Sequence, residues 1–68
     1  MYELMIKEYR LKKNLTQKEL ALALDISQSY LSEIENGKYD IKLSLLCKIA
    51  NALDVLPAEL FIYSKSTS

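Results

Sequence analysis

The chain predicts an all-α fold, a compact bundle of five short helices with no strands. Three observations predict it. Apolar residues recur at three- and four-residue spacing through most of the 68 residues. Glycine and proline each occur once, which supplies too few tight-turn residues for a sheet of many strands. Side chains that cap helix N-termini stand immediately before the second and third apolar runs. Half of the residues are hydrophobic, enough for one core in a domain of this size. The expected organisation is one domain over residues 1–63 and a Ser- and Thr-rich tail over 64–68 that frays.

The first helix is expected over about 2–13, with Tyr2, Met5, Ile6 and Tyr9 on one face and Asn14 turning left-handed behind it. Thr16 and Glu19 then form a capping box, with Leu15 and Leu20 placed as a hydrophobic staple. Leu20, Ala21 and Leu24 face inward, and Ala21 marks a close approach of the next helix. Asp25 is expected to turn left-handed. Ser27 caps the third helix, whose core contacts are Leu31 and Ile34, and Asn36-Gly37 stops it. A fourth helix over 43–53 carries Leu43, Leu46, Cys47, Ala50 and Leu53 on one stripe, although Lys42 is a poor N-cap. Asp54 ends it, and Pro57 suits the first turn of a fifth helix over about 57–62.

Composition narrows the chemistry. There is no histidine and one cysteine, so neither a metal-ligand cluster nor a nucleophile with its base can be assembled, and no cofactor, small-molecule ligand or enzyme activity is expected. Cys47 permits no internal disulfide, which suits a reducing compartment, and its place on the fourth stripe makes it a small hydrophobe rather than a redox sensor. No apolar run approaches the roughly 20 residues that cross a bilayer, and the start lacks the basic residues of a signal peptide. A cytoplasmic protein with no membrane partner is expected. The net charge is zero, but it is uneven: residues 1–13 are basic and the middle of the chain is acidic. A DNA binder usually carries a basic surplus, so any positive potential here must come from placement.

Residues 16–37 read as two helices joined by a tight turn, the second turning small polar side chains away from the core. Such a helix can sit in a DNA major groove, about 12 Å wide. The motifs Leu15-Thr16-Gln17-Lys18-Glu19-Leu20-Ala21, Leu24-Asp25-Ile26-Ser27, Leu31-Ser32-Glu33-Ile34-Glu35-Asn36-Gly37-Lys38 and Leu46-Cys47-Lys48-Ile49-Ala50-Asn51-Ala52-Leu53 follow in order. In this the chain resembles the helix-turn-helix family of phage lambda repressor, Cro and the Xre-type bacterial regulators, over about residues 2–62. Asn14, Asp25 and Asp54 stand where that family often has glycine, Lys42 where a small capping residue is usual, and Cys47 where leucine is typical.

The resemblance implies a sequence-specific regulator of transcription, repressor-like, that binds a palindromic double-stranded DNA operator as a homodimer. The alternative is a protein-interaction module that uses the same fold without DNA. On the first reading Gln28 and Ser29, in the opening turn of the third helix, read base edges, with Glu33 one turn on accepting from cytosine N4 or merely keeping the helix soluble. Gln17 contacts a backbone phosphate, or is only a solvated polar residue. Tyr30 reaches a phosphate or a thymine methyl, or lies along the surface. Asn36, Lys38 and Lys42 follow the helix where a phosphate strand should pass, the alternative for each lysine being a solvated charge. Arg10 and Glu35 each sit four residues beyond a core position, and the resemblance suggests that they pair across the first and third helices. Leu56, Leu60, Phe61, Ile62 and Tyr63 are too many large apolar groups for one edge of a small core, which points to a dimer interface, the alternative being closure of the monomer core. Tyr39 has no assignable role.

Overall fold

The computed structural model describes residues 2–63, so the expected tail at 64–68 lies outside the described residues. Strand β1 (Tyr2–Leu4) is followed by helices α1 (Ile6–Lys12), α2 (Gln17–Leu24), α3 (Gln28–Glu35) and α4 (Leu43–Leu53), then a 3₁₀ turn (Pro57–Leu60) and strand β2 (Phe61–Tyr63). The fold is mostly helical, but it has four α-helices rather than five, and a small sheet joins its two ends. The strands are antiparallel, with Tyr2 opposite Tyr63, Glu3 opposite Ile62 and Leu4 opposite Phe61.

The sheet takes up the outer ends of the first and fifth helices of the sequence reading. The first helix was expected from residue 2 and starts at Ile6; the fifth was expected to residue 62 and is a single turn ending at Leu60. Each segment is too short to nucleate a helix on its own, whereas pairing satisfies the backbone groups of both. The Met5 N–H donates to Leu60 O at 2.6 Å, which fastens the entry to α1 onto the exit from the 3₁₀ turn.

The four helices end alike. A left-handed residue follows each of them: Asn14, Asp25, Gly37 and Asp54, with φ of 57°, 58°, 74° and 57°. The next N–H reaches back five residues in every case, Leu15 to Arg10, Ile26 to Ala21, Lys38 to Glu33 and Val55 to Ala50, at 3.0–3.1 Å. This is the Schellman stop, which commonly adds an apolar contact from the residue after the left-handed one. Leu15, Ile26 and Val55 supply that contact by packing on the core. Lys38 follows the same turn but is exposed and supplies no such contact.

N-termini are equally well specified for α2 and α3. Thr16 Oγ1 accepts from Glu19 N–H at 3.0 Å while Glu19 Oε1 accepts from Thr16 N–H at 2.8 Å. Ser27 Oγ accepts from Tyr30 N–H at 3.0 Å. Lys42 precedes α4 with no side-chain cap.

The core is Ile6, Leu20, Ala21, Leu24, Leu31, Ile34, Leu46, Ile49, Ala50, Leu53 and Leu60. On α4 the buried stripe is Leu46, Ile49, Ala50 and Leu53, which keeps Leu46, Ala50 and Leu53 of the stripe expected from sequence and takes in Ile49 in place of Leu43 and Cys47. Both sets satisfy the same helical spacing, so periodicity alone cannot choose between them. Cys47 is consequently exposed, and Leu43, expected inside, is 72% exposed. Leu60 is fully buried, which corrects its assignment to a dimer surface: the 3₁₀ turn directs it beneath α4 instead of outward.

Candidate nucleic-acid interface

Asp25 allows the chain to reverse between α2 and α3 within a few residues, and the caps at Thr16 and Ser27 fix where each helix begins. Leu31 and Ile34 are buried, so α3 has one orientation. Its other face is open. Gln28 and Ser29 are exposed, and together with Gln17, Ser32 and Glu33 they line one shallow polar depression between α2 and α3. Every lining side chain offers a hydrogen-bonding group: amides at 17 and 28, hydroxyls at 29 and 32, a carboxylate at 33.

The back of α3 is tied down by charge. Arg10 Nε donates to Glu35 Oε2 at 2.7 Å, Arg10 Nη2 to Glu35 Oε1 at 3.1 Å, and Arg10 Nη1 to Leu15 O at 2.9 Å. The two side chains are 7% and 2% exposed, so this is a fork-to-fork pair out of water. Gln17 Nε2 donates to the same Glu35 Oε1 at 3.1 Å. One amide hydrogen of Gln17 is thereby spent, while its carbonyl and second hydrogen remain at the groove.

The remaining expected contacts do not line this groove, and Tyr30 and Lys42 border a separate depression with Tyr39, Asp40, Ile41 and Leu45. Asn36, Lys38 and Lys42 are exposed beyond the C-terminal end of α3. Tyr30 is 39% exposed, and its ring meets that of Tyr39 edge-on, with centroids 5.8 Å apart and planes at 61°. The Tyr39 hydroxyl donates to Glu33 Oε2. That bond is the first cause of a Tyr39 ionisation raised above the ordinary tyrosine value. Sequence reasoning found no role for Tyr39 and assigned none to Ser32. No spacing rule would have found Tyr39, because its partner lies across the reversal at Gly37. Ser32 is different, since it lies one turn beyond Ser29 on the same helix.

Leu56, Phe61, Ile62 and Tyr63 are exposed on the side formed by the 3₁₀ turn and the sheet. Phe61 and Tyr63 line a largely apolar depression with Tyr2, Leu4, Asp40, Ile41, Leu43 and Leu46. Among the described residues no group of three or more His, Cys, Asp or Glu is placed to hold a metal, and no helix is long and apolar enough to cross a membrane.

Two short helices set at a left-handed turn, the second with its core face buried and its polar face open, define a helix-turn-helix domain. The family described as helix-turn-helix matches residues 6–60, and the chain belongs to it, in the lambda-repressor, Cro and Xre branch. Its relatives agree. An uncharacterised HTH-type transcriptional regulator of Methanocaldococcus jannaschii is 45% identical over 58 residues, 85% of this chain and 88% of its own length. The control protein C.BamHI of Bacillus amyloliquefaciens is 35% identical over 60 residues, 87% of this chain and 74% of its own. Among solved structures, the master regulator of biofilm formation SinR, in complex with DNA, is 35% identical with a TM-score of 0.72, covering 78% of this chain and 86% of that one. The family is one of transcriptional regulators, and the Methanocaldococcus relative carries that description.

Proposed function

We propose that this chain is a repressor-like regulator that binds double-stranded DNA sequence-specifically, as a homodimer on a palindromic operator. The observation that carries the reading is the open polar groove at the first turn of α3, held from behind by the Arg10–Glu35 pair. Gln28 and Ser29 are base readers, Gln28 fitting adenine N6 and N7 and Ser29 several bases, and Glu33 is an acceptor for cytosine N4. Gln17, Tyr30, Asn36, Lys38 and Lys42 contact phosphates and set the register. The SinR structure in complex with DNA supports this use of the fold.

A homodimer accounts for the apolar side at the 3₁₀ turn and the sheet. Leu56, Phe61, Ile62 and Tyr63 leave more apolar surface open than a monomer of this size needs. A two-fold axis through that side would set two copies of α3 about 34 Å apart, one helical turn of DNA.

The balanced charge and the carboxylate on the open face favour a second reading, a protein-interaction module. One experiment separates the two: selection of bound duplexes from a random library, followed by binding of the winner across a salt series. A DNA reader yields a consensus and loses affinity steeply as salt rises. Retention of no duplex at low salt would leave the interaction module standing.

A further inference from the structure

The segment after α3 folds back against the helix it has just left. Gly37 reverses the chain, and Tyr39 then lies beside α3, its hydroxyl on Glu33 Oε2 and its ring against Tyr30. The following residue is anchored in turn, because Asp40 Oδ1 accepts from the Tyr2 hydroxyl at 2.7 Å. Tyr39 is therefore held against α3 by both its ring and its hydroxyl, and the residue after it is tied to β1.

We propose that Tyr39 is a positioning residue for base selection: it fixes the Glu33 carboxylate at the wall of the groove, so that the second oxygen faces a base-edge amino group as an oriented acceptor. The proposal rests on the DNA-binding reading above. Its logic is that of a carboxylate among phosphates. A glutamate free to rotate would repel duplexes in general and choose weakly among them, because each of its rotamers offers the acceptor somewhere else. A hydroxyl donor on one oxygen removes that freedom and partly compensates the charge, leaving one acceptor whose best match is cytosine N4. A phenol does this without adding a competing charge. With its ionisation raised by Glu33, the Tyr39 proton stays in place through neutral pH, so the donor and acceptor do not exchange roles.

The test is a set of parallel selections from one random duplex library with the full chain and with Glu33→Ala, Tyr39→Phe and the double variant, alongside thermal unfolding of each. Phenylalanine keeps the ring against Tyr30 and removes only the donor. The wild type is expected to prefer cytosine at one position of each half-site, and Glu33→Ala to lose that preference. Tyr39→Phe should weaken it by about five-fold or more, with the other positions and the unfolding midpoint kept. In the Glu33→Ala background Tyr39→Phe should change nothing. A Tyr39→Phe selection identical to wild type would overturn the proposal. So would an equal loss at all positions with a lowered midpoint, which marks a structural role. If the wild type itself selects no duplex, the DNA-binding reading falls and takes this role with it.

Discussion

The guanidinium of Arg10 grips the carboxylate of Glu35 with two nitrogens, 2.7 Å and 3.1 Å from its oxygens, and spends its third nitrogen on Leu15 O. One side chain thus joins α1, the lead into α2 and the end of α3. Because both groups are withdrawn from water, each depends on the other.

Arg10→Met should therefore cost about 3–5 kcal/mol in urea unfolding, since it strands the Glu35 carboxylate in a dry site. Adding Glu35→Leu removes the stranded charge, and the double variant should be more stable than Arg10→Met alone. A double variant that is no better would show that the cost came from lost packing of the arginine stem.

Base readers and phosphate contacts should fail differently. Gln28→Ala should cost about 1–3 kcal/mol at one base pair and relax preference there. Lys38→Ala should weaken binding to all duplexes alike and lower the slope of affinity against salt by about one phosphate's share. Competitive binding against single-base variants of the selected operator measures both. An unchanged base preference in Gln28→Ala would remove that residue from the reading face.

The side at the 3₁₀ turn and the sheet offers a contrast between neighbours. Leu60→Ala opens a cavity beneath α4 and should cost about 2–5 kcal/mol. Ile62, two residues on, is 50% exposed, and Ile62→Ala should change monomer stability by only about 0.5 kcal/mol. On the dimer reading Ile62→Glu should shift the sedimenting species from dimer to monomer while helical content is kept. A dimer of unchanged affinity would move the interface elsewhere.

How far the sequence could be read depended on whether a signal was local. Thr16 with Glu19, Ser27, and the reversals at Asn14, Asp25, Gly37 and Asp54 all state their business within five residues, and each lies where its local chemistry places it. The sheet does not. Tyr2–Leu4 and Phe61–Tyr63 become strands only by meeting each other, and Tyr2, Met5, Ile6 and Tyr9 fit a helical stripe equally well. The run Phe61-Ile62-Tyr63, aromatic and β-branched throughout, was the available hint. On α4 two overlapping stripes that share Leu46, Ala50 and Leu53 obey the same rule, and the choice falls to Ile49 against Cys47 through packing with α1, α2 and the 3₁₀ turn. At the groove, the residues on α2 and α3 follow from helix geometry. The Tyr39–Glu33 bond depends instead on the path of a loop, which no periodicity describes.

The capping box of α2 makes a prediction in pH. Glu19 accepts from the Thr16 N–H, and this bond, with that of the Thr16 side chain, holds its carboxyl below the ordinary glutamate value. A folded-state pKa that is depressed favours the charged form in the native chain. The stabilisation is therefore complete above the unfolded-state pKa, about 4.3, and is lost as pH falls through the folded-state value. Glu19→Gln keeps an acceptor for Thr16 N–H but has no charge to lose and none to meet the positive end of the helix. The wild type should be the more stable of the two at pH 7, and the gap should close as unfolding is repeated toward pH 3. Two stability curves that stay parallel across that interval would mean that the charge on Glu19 contributes nothing to the cap, and that the hydrogen bond alone sets the start of α2.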